Sequence, residues 1–147
     1  MSDHFTINLD SISATQKFAS EMAAKIQNPC VIAMTGDLGS GKTTFTQGFA
    51  RGMGIKDNVG SPTFKLVSEY KGEHLLLNHV DCYRLENEKD FFNIGGEKYL
   101  EPDGAITIIE WSEKITNVIP WDAIIIDFKR IPEKPDVRIL MIEGWTP

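Results

Sequence analysis

Residues 30–54 read CVIAMTGDLGSGKTTFTQGFARGMG, and this stretch decides the fold. Its centre, GDLGSGKT from Gly36 to Thr43, satisfies the pattern G-x-x-x-x-G-K-[ST] in full. Glycines let the backbone approach phosphate oxygens without a Cβ in the way, and successive N–H groups then form an anion-binding nest. The apolar run before the loop predicts a buried strand, and Thr43 to Met53 predicts a helix. We therefore predict a strand, a phosphate-binding loop and a helix, in that order.

The polar residues of this loop have distinct expected roles toward ATP or ADP. Lys42 is expected to reach the β- and γ-phosphates as an exposed anchor and to take part in catalysis. The hydroxyl of Thr43 is placed to coordinate Mg²⁺. The other nucleotide contacts expected in the loop and the first helical turn are Asp37, Leu38, Gly39, Ser40, Gly41 and Thr44.

Two carboxylates stand at the ends of apolar runs. Residues 75–81, LLLNHVD, end at Asp81, and residues 105–110, AITIIE, end at Glu110. Because ligands of α/β proteins bind outside the carboxyl ends of the strands, both acids are expected beside the phosphate loop. We assign Glu110 to magnesium and Asp81, as a catalytic residue, to the attacking water. The reverse assignment stays open, as does a simple helix-capping role for either acid.

Further segments complete the predicted architecture. Ser11 to Ile26 has helical apolar spacing with Ser11 or Ser13 as the N-cap, and residues 83–92 also predict a helix. Strands are predicted within residues 59–70 and at residues 124–128 and 137–142. Strands that alternate with helices predict a single α/β P-loop domain over residues 1–147, with a mainly parallel central sheet flanked by helices.

Composition limits the classes of function. The chain has 147 residues, of which 41% are hydrophobic, and a net charge of -6. This charge repels phosphate backbones and argues against nucleic acid as the main ligand of the chain alone. The two cysteines lie in or beside apolar runs, which favours buried, reduced thiols. With neither a signal-like N-terminus nor an apolar run long enough to span a membrane, a cytoplasmic protein is expected.

Five blocks of sequence together are more specific than the loop alone. They are GDLGSGKTTFTQGFARGMG, SPTFKLVSEY, HVDCYRLE, GGEKYL and IIEWSEK, in this order. In this combination the chain resembles TsaE, the bacterial ATPase subunit of the machinery that makes threonylcarbamoyladenosine in tRNA. The resemblance implies an ATPase that is weak alone and acts with TsaB and TsaD. Its ATP hydrolysis would reset that complex between turnovers, and tRNA would be met only through the complex.

The resemblance also implies roles for individual residues. It makes Thr43 and Glu110 the magnesium ligands and Asp81 the essential aspartate. It matches Ser61 to Phe64 with a switch segment, in which we expect Thr63 to sense the γ-phosphate. Further matches are the motif tryptophan at Trp111 and nucleotide contacts at Arg138 and near Thr15.

Several alternatives remain at this stage. A small-molecule kinase would use the same loop, and a nucleotide-gated binding module would bind ATP without meaningful hydrolysis. His79 is interpreted as a packed strand residue, and Trp111 either packs on the sheet edge or contacts a partner. Asn87 to Asp90 lacks the order of the guanine-reading motif, so ATP is expected over GTP. No arginine stands in a recognisable lid, so we expect a partner to complete the site.

Overall fold

The structure, a computed structural model, describes residues 4–37, 39–60 and 66–147. Its strands are β1 (His4–Leu9), β2 (Cys30–Gly36), β3 (Val67–Lys71), β4 (Leu76–Asp81), β5 (Ala105–Glu110), β6 (Ile124–Ile131) and β7 (Lys134–Glu143). Its helices are α1 (Ile12–Lys25), α2 (Lys42–Gly52) and α3 (Glu88–Asn93), with 3-10 helical segments at Gly96–Tyr99 and Ser112–Val118. None of the helices in the described residues has the length and apolar character needed to cross a membrane.

In the described residues the strands form one seven-stranded sheet with the order β1-β7-β6-β2-β5-β4-β3. The central pairs β6–β2, β2–β5 and β5–β4 are parallel, whereas the pairs toward both edges are antiparallel. The connections explain this difference. Only residues 132–133 join β6 to β7 and residues 72–75 join β3 to β4, and such short links cannot make the crossover that parallel pairing requires. The predicted α/β class is confirmed, with a parallel centre and antiparallel edges.

Helices α1 and α2 pack side by side on one face of the sheet. Ser11 is the N-cap of α1, since its Oγ accepts the Ala14 N–H at 3.0 Å. A Cβ at Gly48 would clash with the backbone of Gln16, and one at Gly52 would clash with Ser20. The two helices therefore run in the same direction at close range, and both begin at the edge of the sheet where β2 ends.

Alternating residues of the central strands build two apolar layers. Ile32 and Ile108 belong to the layer under α1 and α2, whereas Val31 and Ile109 face the layer of α3 and the segment after β5. All six residues of β5 are buried. Strands covered on both faces read as continuous apolar runs, and for this reason β2 and β5 were predictable from the sequence.

The helix predicted over residues 83–92 is wrong in its first half. The chain turns after β4, and α3 begins only at Glu88. Asn87 caps it by accepting the Asp90 N–H at 3.1 Å, and Asp90 in turn accepts the Glu86 N–H at 2.9 Å. These side-chain hydrogen bonds end the turn and start the helix. They give the polar residues from Asn87 to Asp90 a structural role that involves no base recognition.

Two strands differ from the sequence-based expectations. β1 was not predicted, because it is a half-exposed edge strand whose partner, β7, lies at the opposite end of the chain. The strand predicted within residues 59–70 occurs as β3, from Val67 to Lys71. Residues 61–65, which include the expected switch residues Ser61 to Phe64, lie outside the described residues.

Candidate nucleotide-binding site

The phosphate loop leaves β2 at Gly36 and enters α2 at Lys42, as predicted. Gly39 and Gly41 have φ angles of +76° and +102°, which side chains with a Cβ rarely adopt. Inside the loop the Ser40 N–H donates to the Asp37 carbonyl at 3.0 Å. Leu38 lies outside the described residues. The backbone thus takes the positive-φ form expected of a phosphate-binding loop.

Lys42 folds back onto this loop. Its ammonium donates to the Gly36 carbonyl, to the Asp37 carbonyl at 3.1 Å and to Ser40 Oγ at 3.4 Å. The residue is only 5% exposed. The expectation of an exposed anchor is therefore wrong: the loop itself covers Lys42, and an incoming anion must replace these internal hydrogen bonds.

Burial changes the electrostatics of Lys42. It lowers the pKa of the ammonium below its usual range, although the nearby carboxylates, led by Glu113 and Glu110, favour the charged form. The ring of Trp111 lies over the ammonium, with Nζ 3.9 Å from the ring centroid. A buried cation held over an aromatic face is attracted by the ring's quadrupole. A phosphate beside it would add negative charge and favour the charged lysine.

Thr43 and Glu110 meet at the start of α2. Thr43 Oγ1 lies 3.1 Å from Glu110 Oε1 and 3.4 Å from Oε2, and Glu110 is only 3% exposed. Hydroxyl and carboxylate oxygens suit Mg²⁺, which usually takes one or two protein ligands and fills the rest with phosphate oxygens and water. Among the described residues there is no larger acidic or histidine cluster that could hold a metal alone. The pair therefore fits a magnesium ion that arrives with a nucleotide.

His79 is a site residue that the sequence interpretation missed. It is fully buried, as expected of a strand histidine, but its Nε2 contacts Glu110 Oε2. Its Nδ1 has no hydrogen-bond partner within the described ranges. A buried neighbour of this kind fixes the carboxylate group in orientation. The sequence held one signal for this role: side chains alternate along a strand, so His79 lies on the same face of β4 as Asp81.

Asp81 ends β4 directly opposite Glu110 in the parallel register of β4 and β5. One of its oxygens, Oδ1, accepts the Tyr83 N–H at 2.9 Å. This bond forms a turn after β4. It is not the helix cap considered as an alternative, because α3 begins only at Glu88 and is capped by Asn87, and the Asp81 carboxylate lines the same cavity as the loop. The structure thus brings both strand-end acids to one place, and their division of labour stays a prediction.

Trp111 follows Glu110 with φ 60° and ψ 41°, a left-handed conformation that is uncommon for a bulky residue. This turn folds the next residues under the loop: Ser112 Oγ donates to the Met34 carbonyl at 3.1 Å, and Glu113 accepts the Gly36 N–H at 3.3 Å. Trp111 also lies 5.0 Å from Tyr83, measured between ring centroids. It is therefore part of the site and does not simply pack on the sheet edge.

These residues surround an open cavity of about 290 Å³. Arg138, expected only from a loose match, reaches it from β7, and its guanidinium donates to the Gly39 carbonyl at 3.2 Å. Thr15 does not reach the cavity: it is 1% exposed in α1, and its hydroxyl donates to the Ser11 carbonyl at 3.2 Å. Thr63 lies outside the described residues. The lining comprises Gly39, Ser40, Gly41, Lys42, Thr43, Thr44, Asp81, Tyr83, Glu110, Trp111 and Arg138.

Comparison with known proteins gives one consistent result. A family model described as "Threonylcarbamoyl adenosine biosynthesis protein TsaE" matches residues 9–138. A Bacillus subtilis protein named tRNA threonylcarbamoyladenosine biosynthesis protein TsaE is 38% identical over 125 residues, covering 85% of this chain and 75% of that one. A Treponema pallidum protein of the same name is 36% identical, covering 75% and 80%. The crystal structure of YdiB from Bacillus subtilis superposes with a TM-score of 0.76 at 30% identity, covering 97% of this chain and 86% of YdiB.

Proposed function

This chain belongs to the TsaE family, and on that premise we propose that it is a magnesium-dependent ATPase serving threonylcarbamoyladenosine synthesis in tRNA. Its relatives from Bacillus subtilis and Treponema pallidum carry this pathway in their names. The observation that carries the ATPase part is the Thr43–Glu110 hydrogen bond beside Lys42, in a cavity that Asp81 also lines. A chance glycine-rich turn would not gather a lysine, a hydroxyl and two strand-end acids.

Each group has a proposed task. Lys42 and the loop N–H groups bind the β- and γ-phosphates, with Lys42 exchanging its loop carbonyls for phosphate oxygens. Thr43 and Glu110 hold Mg²⁺, which neutralises phosphate charge when bound. Asp81 orients the attacking water and accepts its proton. Asp81 suits that task better than Glu110, because Glu110 is buried beside Thr43, where the magnesium ion is proposed to bind.

The site also suggests where a partner acts. Tyr83 is 50% exposed and packs against Trp111, whose ring covers Lys42. A protein that docks on Tyr83 can therefore change the environment of the phosphate-binding lysine. We propose that TsaB and TsaD are the partners, that hydrolysis resets their complex, and that tRNA is contacted only through them. The net charge of -6 is in keeping with a protein that does not hold tRNA itself.

The proposal is tested by ATP titration calorimetry and phosphate release with the full chain. Lys42→Ala should abolish useful ATP binding while circular dichroism shows a retained fold. Lys56→Ala, an exposed lysine outside the cavity lining, is the matched control and should bind normally. Unchanged ATP affinity in Lys42→Ala would contradict the nucleotide site.

Turnover is then measured with and without the purified TsaB–TsaD pair and tRNA. We expect slow release of phosphate alone and faster release with the partners present. Tight ATP binding without turnover in either condition would favour the nucleotide-gated binding module. Phosphate transfer to a small-molecule acceptor would favour the kinase.

A further inference from the structure

The β6–β7 hairpin carries a pair of arginines to the phosphate loop. Arg130 on β6 pairs directly with Arg138 on β7, and the strand register shifts immediately after this pair, between Arg130 and Ile131. Like charges placed opposite each other on neighbouring strands repel and destabilise a sheet. The arrangement therefore costs stability unless an anion compensates the charge.

Arg138 is held against the loop by carbonyl groups. Its guanidinium donates to the carbonyls of Gly39, Val137 and Pro135, with distances of 3.2 Å to Gly39 and 3.0 Å to Val137. Its Nε is buried and has no hydrogen-bond partner among the described residues. A Cβ at Gly41 would lie 3.1 Å from that Nε. The glycine thus leaves the space in which the arginine approaches the loop.

Arg130 approaches the loop at Gly39. A Cβ at Gly39 would lie 3.4 Å from Arg130 Nη1, an ordinary contact distance, so the exposed guanidinium lies beside the loop backbone. Neither arginine forms an ion pair with a carboxylate in the described part of the chain. Their neighbour Lys129 differs, because it pairs with Asp127 at 3.3 Å. Two arginines without counter-charges therefore face a loop built to receive phosphate.

We propose that Arg130, together with Arg138, binds the polyphosphate of the nucleotide. Guanidinium groups form bidentate, charge-assisted hydrogen bonds with phosphate, and an anion between the pair would remove their mutual repulsion. The inference rests on the proposed nucleotide site and adds to it a cationic hairpin on the side of the loop away from Trp111. The chain then carries its own arginines at the phosphate loop, and a partner that completes the site acts in another way, for example through Trp111.

The test compares Arg130→Gln, Arg138→Gln and Lys129→Gln in the full chain. Lys129→Gln removes the same charge from the same exposed end of the hairpin, but from a residue that already pairs with Asp127. Affinities for ATP, ADP and adenosine are measured by calorimetry with Mg²⁺ present. A charged hydrogen bond to phosphate predicts an ATP affinity about tenfold lower for Arg130→Gln, with adenosine binding unchanged. Arg130→Lys should lose less, since it keeps the charge without the planar fork.

The possible results separate this inference from the proposed function. If the wild-type chain binds ATP through Lys42 and Arg130→Gln behaves like Lys129→Gln, the role of Arg130 is refuted and the nucleotide site stands. If the wild-type chain binds no ATP, the proposed function itself fails. Equal loss for adenosine and ATP would make Arg130 a structural residue and would also overturn the inference. Thermal unfolding of each variant shows whether the hairpin remains folded.

Discussion

Replacing Glu110 by alanine should destabilise the protein as well as disturb magnesium binding. Glu110 is 3% exposed and bonds both Thr43 and the fully buried His79. Its removal leaves the His79 ring without that hydrogen bond in an apolar layer. Leaving a buried polar group without its partner costs roughly 1–3 kcal/mol, and we expect about 2 kcal/mol because partly exposed Thr43 can bond water instead. For a chain of this size that is a fall of about 4–8 °C in melting temperature.

Asp81→Ala is the matched comparison, since it removes the neighbouring strand-end acid. Asp81 is less buried than Glu110, and the bond that it accepts from the Tyr83 N–H is worth about 1 kcal/mol. Melting is followed by circular dichroism, and ATP binding is titrated against Mg²⁺. We expect Glu110→Ala to raise the Mg²⁺ requirement and Asp81→Ala to bind ATP nearly normally while turnover falls roughly 10²-fold.

Two results would refute this reasoning. Equal melting temperatures for Glu110→Ala and Asp81→Ala would show that the His79 contact contributes little to stability. A raised Mg²⁺ requirement in Asp81→Ala alone would reverse the assignment of the two acids. Glu110→Gln provides the internal control: it keeps the side-chain volume and one carbonyl oxygen, so it should recover most of the stability but not the magnesium affinity.

Three further predictions concern other parts of the molecule. Trp111→Ala should weaken partner-stimulated turnover more than basal turnover, and equal loss of the two rates would leave Trp111 without a partner role. Because the Trp111 ring covers Lys42, the ATP affinity of the isolated chain should also fall a few-fold, and Trp111→Phe should restore that affinity. Gly48→Ala should cost about 1–3 kcal/mol in urea unfolding, because its methyl group would overlap the Gln16 backbone, and unchanged stability would disprove the close helix contact. Burial, with help from nearby carboxylates, raises the pKa of the Cys82 thiol to about 12. In a Cys30→Ser variant, Cys82 should therefore react with Ellman's reagent at pH 8 only after unfolding in guanidinium, and fast reaction of the folded variant would contradict the burial of Cys82.

Much of the site was predictable because its signals are local. The loop from Gly36 to Thr43 follows from adjacent residues, and Asp81 and Glu110 are each marked by the apolar strand before them. Parallel strands bring their carboxyl ends to one edge, so convergence of the acids follows from fold class alone. The exposure of Lys42 was misjudged because burial depends on how the loop and Trp111 close over it, which residue type does not reveal.

Other site residues lack a local signal. Arg130 stands in a generic stretch of sequence and was not predicted, whereas Arg138 was expected only from a loose family match. The β6–β7 hairpin, placed next to β2 in the sheet, brings both to the loop. His79 looks like a core residue, and it is one, yet it also contacts Glu110 on the adjacent strand. The first half of the helix predicted at residues 83–92 is wrong because the local signal there was misleading. Backbone N–H groups bond the side chains of Asp81 and Asn87 instead of continuing a helix, although the apolar spacing is helical.

The sequence by itself determined the phosphate loop, the strand before it, the helix after it and the family to which the chain belongs. These depend on contacts between residues close in the chain, which spacing and residue type record directly. Only the tertiary structure decided how distant residues meet at the site: His79 lies behind Glu110, Trp111 lies over Lys42, and Arg130 joins Arg138 beside the loop. The order of strands in the sheet sets those contacts, and strand order depends on the packing of the whole chain, which no short segment encodes.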